Sequence, residues 1–232
     1  MSQKKFCVIG LGYFGMNLSL FLTDEGAEVL SIDKDQLRVE MLADKVSLAV
    51  QMDSTDERAL VSLGIKDMDA VIVAIGEHFE SSINTVAILQ ELGINKIYAR
   101  VVSPIHERLL KLMNISELLY PEAEAAEHLA NRLVIPGLLE SFEISSEFGI
   151  FEINVPQKYI GQSLIDVNLR TTYKINLVTV KRINTKKSKF FKDKIDKYEV
   201  LGVVNPDYIF QDSDILVLFG KETDFKKLIQ VN

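Results

Sequence analysis

Gly10, Gly12 and Gly15 stand in the spacing Gly-x-Gly-x-x-Gly, directly after the apolar run Phe6-Cys7-Val8-Ile9 and before a helical pattern of Phe14, Leu18, Phe21 and Leu22. Glycines at this spacing suit the binding of a diphosphate. Gly10 makes a turn where a Cβ would clash, Gly12 lets backbone approach a pyrophosphate, and Gly15 lets the new helix pack on the strand. A helix starting at Tyr13 and Phe14 aims its free N–H groups and the positive end of its dipole at the phosphates. A second apolar run, Ala27 to Ile32, ends at Asp33 and Lys34. Asp33 lies roughly 20 residues beyond the glycines, where an acid takes ribose hydroxyls. A glycine turn that binds nothing is the competing reading, and the register of strand, glycines, helix, strand and acid weighs against it.

Three further strand ends carry useful groups. Asp53-Ser54-Thr55 follows a third apolar run, Ala74-Ile75-Gly76 follows a fourth, and Arg100 lies near the end of a fifth. Gly76 would let an adenine or ribose approach the backbone. Arg100 is either a pocket cation or one half of an ion pair at a strand end. The groups that hydride chemistry needs beside a dinucleotide are not evident. His78, His106 and His128 are the three histidines, and all fall on helices or their starts, where surface and packing roles dominate. Cys7 is the only cysteine, inside the first strand, so the sequence offers neither a disulfide framework nor zinc spacing. There is no nucleophile elbow, no Gly-x-x-x-x-Gly-Lys loop and no His-Glu-x-x-His helix. The residues favour nucleotide sensing over nucleotide chemistry, with a small NAD-dependent oxidoreductase as the alternative.

These groups need a scaffold, and the pattern supplies one. Strands are expected at 5–9, 27–32, 47–51, 69–75, 96–102 and 116–120, with helices at 13–25, 34–43, 55–63, 79–92, 104–113 and 122–139. Short apolar runs alternating with amphipathic helices predict an α/β fold, a Rossmann-like doubly wound parallel sheet whose ligands sit at the carboxyl ends of the strands. Beyond residue 140 the pattern changes to a small α+β domain. A hairpin around Glu147-Phe148-Gly149, a short helix from Gly161 to about Arg170, strands at 177–183, 198–204 and 214–219, and a last helix at 222–231 are expected. The boundary is placed so that 1–140 is the nucleotide-binding domain with its long last helix, and 141–232 the second domain. Within the second domain, Asn184 to Lys197 is lysine-rich and interrupted by Phe190 and Phe191, a solvated hairpin loop or an anion or membrane-surface patch. The net charge of −7 over 232 residues argues against general nucleic-acid binding, as does the lack of a basic stripe. No N-terminal signal pattern and no apolar run of about 18 residues is present, so a cytoplasmic protein that meets a membrane only through a partner is expected.

Taken together, Gly10-Leu11-Gly12-Tyr13-Phe14-Gly15, Asp33, Asp53-Ser54-Thr55, Val73-Ala74-Ile75-Gly76, Arg100 and Tyr120-Pro121-Glu122 resemble the RCK domain, the regulator of potassium conductance, in its Ktr/Trk form. Gly161-x-Ser163-Leu164-x-Asp166-x-Asn168-Leu169-Arg170-x-x-Tyr173 and Asn205-Pro206 are similar to that family's C-terminal domain. The resemblance implies a cytosolic subunit at the inner face of the membrane. Its homodimers assemble to an octameric ring under an integral-membrane potassium channel subunit of Ktr or Trk type, and it binds ATP/ADP or NAD(H). It assigns phosphates to Gly10, Gly12 and Gly15, ribose to Asp33, and pocket-lining roles to Asp53, Gly76 and Arg100. Glu122 would help hold a cation (Mg, Ca or Na) at the dimer interface. Where many Ktr subunits carry Arg, this chain has Tyr13, a hydrogen-bond donor without charge at pH 7. That makes ADP or NAD(H) more plausible here than in other members. The family also implies cyclic di-AMP at a second site matching Leu164, Leu169, Arg170, Asn176 and Pro206, for which an ordinary dimer interface is the competing reading.

Overall fold

A computed structural model describes residues 3–183 and 198–230. In the first half, strand and helix alternate: β1 (Lys5–Ile9), α1 (Tyr13–Asp24), β2 (Glu28–Asp33), α2 (Gln36–Glu40), β3 (Leu48–Gln51), α3 (Glu57–Ser62), β4 (Ala70–Val73), α4 (Phe79–Glu91), β5 (Ile97–Arg100), α5 (Pro104–Leu112) and β6 (Glu117–Leu119). The strands form one parallel sheet in the order β3-β2-β1-β4-β5-β6. Strand order reverses beside β1, which opens a crevice between the chain segments leaving β1, β2 and β4.

Local sequence explains the elements. β4 reads Ala-Val-Ile-Val and is buried at every position, as a central strand covered on both faces must be. One face packs Val8, Leu11, Val29 and Ile72 with Phe14, Leu18 and Leu22 of α1. The other packs Cys7, Ile9, Val71 and Val73 with Leu60 of α3, Val86 and Leu89 of α4, and Leu110 of α5. Three helix starts in this first half are capped by side chains: Asp35 accepts from Leu37 N–H at 2.9 Å, Asp56 from Ala59 N–H at 3.1 Å, and Ser103 from His106 N–H at 3.3 Å.

Several expected bounds shift for identifiable reasons. β4 ends at Val73, so Ala74, Ile75 and Gly76 form the loop that leaves it. The last long helix, α6 (Pro121–Val134), stops before 139 because Pro136 disfavours helical backbone at Ile135, and a strand takes over at Leu138. None of the residues of α6 is buried. Contacts divide the chain into Met1–Ala123 and Glu124–Asn232, whereas the sequence boundary at 140 keeps all of α6 with the first domain.

The second unit is an antiparallel sheet of β7 (Leu138–Glu143), β8 (Phe148–Asn154), β9 (Asn176–Ile183), β10 (Tyr198–Val200) and β11 (Asp214–Lys221), in the order β10-β9-β11-β8-β7. Its short helices are α7 (Leu164–Val167) and α8 (Leu169–Tyr173), and α9 (Glu222–Gln230) ends the described chain. The single helix expected to about Arg170 is therefore two, split where Asn168 adopts φ +47° and ψ +49°, a left-handed conformation that Asn tolerates. β10 is shorter than the expected 198–204, because Gly202 turns the chain at φ +69°. The core joins Phe151, Ile153, Leu216 and Leu218 of the sheet to Phe225 and Leu228 of α9, with Phe151 and Phe225 stacked at 4.2 Å. The lysine-rich stretch 184–197 lies outside the described residues.

His106 is buried in the first core. Its Nδ1 accepts from Val102 N–H at 3.3 Å, Phe79 packs against its ring with centroids 5.2 Å apart, and its Nε2 has no hydrogen-bond partner. Burial holds its pKa below the usual histidine value. The unfolded chain therefore takes up this proton more readily than the folded chain, so this part of the stability is complete above the unfolded value of about 6.5 and falls as pH drops below it. In thermal melts from about pH 7.5 down to about pH 5.5, wild type should lose more Tm than His106→Leu; parallel losses would contradict this assignment.

Candidate functional site

The three glycines, two in the loop after β1 and one in the first turn of α1, are used in different ways. Gly10 has φ +95°, and a Cβ there would lie 2.9 Å from Ile75 N and 3.0 Å from Ile75 Cα. A Cβ on Gly15 would lie 2.0 Å from Gly10 O and 3.1 Å from Ala74 Cβ. These two positions are filled by the protein's own backbone, so glycine is required for the fold itself. Gly12 differs: the nearest atom to its Cβ position is Arg38 Nη1 at 4.0 Å. Nothing in the fold forbids a side chain at Gly12, and the space above it is open to another molecule. The start of α1 faces this loop without a side-chain cap and without an acidic residue in its first turn. Its first N–H groups are thus left for an external acceptor. Tyr13 is 90% exposed, while Phe14 packs toward the core.

Asp33 closes the loop from the β2 side. It is 7% exposed, its Oδ2 accepts from Leu11 N–H at 2.5 Å and its Oδ1 from Asp35 N–H at 2.8 Å. Two charge-assisted bonds thus lock the carboxylate at the crevice and hold the glycine loop against the end of β2. Lys34 is exposed, and its carbonyl accepts from Gln51 Nε2 at 3.2 Å. Asp53 is exposed, and Thr55 donates to its Oδ1 through both backbone N–H (2.9 Å) and hydroxyl (2.7 Å), which holds its pKa below the usual carboxylate value. Ser54 points elsewhere: it is buried, and its hydroxyl shares a 2.8 Å hydrogen bond with that of Thr85 on α4.

On the β4 side, Ala74 is buried and its N–H donates to Ile9 O at 2.7 Å, so Ala74 and Ile75 line the crevice through backbone. Arg100 lies against Gly76, with Nη1 2.9 Å from the position a Cβ would take there. It also pairs with Glu122 through Nη2 and Oε1 and through Nε and Oε2, the latter at 3.4 Å. The ion-pair reading of Arg100 is thus the one seen, with the carboxylate of Glu122 engaged by this cation beside Gly76. Among the described residues no three His, Cys, Asp or Glu side chains form a group that could hold a metal ion.

Sequence reasoning passed over Arg38 and Glu77. Arg38, on α2, lies 3.9 Å from Asp33 Oδ2, 3.6 Å from Asp35 Oδ2 and 3.4 Å from Glu77 Oε1. It links the segment after β2 to the segment after β4. The available signal was a lone arginine one turn into the helix that follows Asp33.

The second group of expected residues falls in two places. Leu164 N–H donates to Tyr208 O and Ile165 N–H to Pro206 O, each at 2.9 Å, which brings Leu164 beside the 206–208 segment. Arg170 is exposed, and its Nε donates to Asn176 Oδ1 at 2.6 Å. Leu169 is 2% exposed and belongs to the core. Of the other histidines, His78 precedes α4 and is exposed, and His128 Nε2 lies 2.6 Å from Glu140 Oε2 in the second unit.

Comparison with known proteins adds the context. Residues 6–121 match the TrkA-N domain. Ktr system potassium uptake protein C of Bacillus subtilis is 35% identical over 97% of this chain and 96% of its own length. Ktr system potassium uptake protein A of the same organism is 29% identical over 98% of this chain and 96% of its length. In structure, the GsuK RCK domain superposes with a TM-score of 0.62 at 15% identity, covering 99% of this chain. This chain spans 48% of the length of that one, so the likeness is one of fold.

The glycine geometry predicts opposite responses at two positions. Gly15→Ala forces backbone apart and should cost about 1–3 kcal/mol despite the better helix propensity of alanine. Gly12→Ala should leave stability within about 0.5 kcal/mol of wild type. Urea unfolding of both variants measures this, and equal stabilities would refute the assignment.

Proposed function

The chain belongs to the TrkA-N family of Ktr potassium uptake proteins, and from that premise we propose that it is the regulatory subunit of a potassium uptake system. In this reading an adenine nucleotide, ATP/ADP or NAD(H), occupies the crevice and biases a membrane channel subunit that this chain accompanies. The single observation that carries the nucleotide site is the contrast among the glycines: Gly10 and Gly15 are crowded by the fold, and Gly12 is open beneath the uncapped start of α1. The phosphates lie over Gly12 and accept from the first N–H groups of α1, and Asp33 accepts from ribose hydroxyls with the lone pairs its two backbone donors leave free. Arg100, against Gly76, is the cation nearest the β4 side of the crevice. A phosphate there competes with Glu122 for its guanidinium.

Several observations favour regulation over hydride transfer. His106 is enclosed in the core, and the relatives that match over the full chain are potassium uptake proteins. Among the described residues no helix is long and apolar enough to cross a membrane, which fits a separate channel subunit. Dimers closing into an octameric ring would carry the nucleotide state to that subunit. A ligand can do this only through unequal affinity for two ring states. In the second unit, cyclic di-AMP would meet Arg170 and Pro206 at the surface rather than Leu169.

Calorimetric titration of the purified chain with ADP, ATP and NADH tests the site. Gly12→Val should weaken binding about 10–100-fold, the worth of one or two hydrogen bonds to charged phosphate, while leaving Tm near wild type. Potassium flux through the channel subunit in liposomes should then respond to nucleotide with wild-type chain and not with the variant. Unchanged affinity in Gly12→Val would refute the site. Steady NADH oxidation with a carbonyl substrate would instead establish the oxidoreductase.

A further inference from the structure

We propose that Arg38 is the residue that recognises the nucleotide base, by presenting the flat face of its guanidinium to it; this rests on the nucleotide reading above. β1 lies between β2 and β4, so the crevice above the glycine loop has two walls, the segment after Asp33 and the segment after Gly76. With ribose on Asp33, the base extends between those walls. Arg38 is the side chain that joins them: its guanidinium lies 3.9 Å from Asp33, 3.6 Å from Asp35 and 3.4 Å from Glu77, with Nη1 4.0 Å from the Cβ position of Gly12.

The chemistry of its surroundings decides what it binds. Carboxylates approach a guanidinium along its edge, where the N–H groups point. With Asp33, Asp35 and Glu77 around that edge, the faces are what remains for a ligand. The same three acids already balance its single positive charge, so it adds little net attraction to the phosphates held nearby over Gly12. A neutral purine needs no net charge, and a planar cation over its π-face is attractive. Arg38 therefore sets affinity for the base, and the glycine loop sets affinity for the phosphates. Glu77, 75% exposed at its side chain, steadies the plane from the opposite wall.

The test compares ADP with inorganic pyrophosphate, measured by displacement of a fluorescent ADP, in wild type, Arg38→Ala and Arg38→Lys. Arg38 is partly exposed and on the surface of a short helix, so both variants should fold, which circular dichroism checks. Arg38→Ala should bind ADP about tenfold more weakly with pyrophosphate unchanged. Arg38→Lys should show nearly the same loss, because lysine keeps the charge and lacks the plane. Full ADP affinity in Arg38→Lys, an equal loss for both ligands in Arg38→Ala, or no loss in either variant would overturn the proposal. If pyrophosphate displaces nothing in wild type, the ADP affinity of Arg38→Lys decides alone. Wild type that binds no adenine nucleotide would overturn the nucleotide reading beneath it.

Discussion

The grip of the buried Asp33 carboxylate on two backbone N–H groups is the constraint from which the crevice follows. A carboxylate at 7% exposure is costly to keep unless its charge is met. Leu11 N–H at 2.5 Å and Asp35 N–H at 2.8 Å meet it, one from the glycine loop and one from the start of α2. The acid is thus both a structural pin and the group poised toward the cleft. It fixes the turn after β1 relative to the end of β2, and so fixes where the first N–H groups of α1 point. It also fixes α2, and through α2 the reach of Arg38.

Around that pin the cleft is built from backbone more than from side chains. Gly10 and Gly15 let strand, loop and helix approach closely, and Ala74 and Ile75 complete the wall with main chain. The charged side chains come in bridging arrangements, Arg38 among Asp33, Asp35 and Glu77 on one side and Arg100 with Glu122 on the other. Each bridge is a pairing that a bound ligand can join or break. Glu122 stands in the first turn of α6, so its pair with Arg100 ties the end of β5 to the start of that helix.

Much of the first unit was legible in sequence because buried parallel strands and amphipathic helices obey strong periodicities, and because Gly-x-Gly-x-x-Gly and Asp33 carry physical requirements at fixed spacing. The second unit was harder. Asn168 splits a helix by adopting a left-handed conformation that its neighbours do not announce, and Gly202 shortens β10. The end of α6 was written in Pro136, whose effect reaches back to Ile135. Arg38 and Glu77 were invisible for another reason: they lie 39 residues apart, and only the placing of β2 and β4 on either side of β1 brings them together. The same holds for the pairing of Arg100 with Glu122, where sequence placed each at the site and could not tell that each engages the other.

In the proposed function, main-chain N–H groups at the start of α1 grip a diphosphate. Amide hydrogen exchange at Gly12, Tyr13, Phe14 and Gly15, with and without ADP, tests this most directly. ADP should slow exchange at these four amides in wild type and leave it unchanged in Gly12→Val. ADP that binds tightly while leaving those amides unprotected would contradict it, since the phosphates would then be held somewhere else.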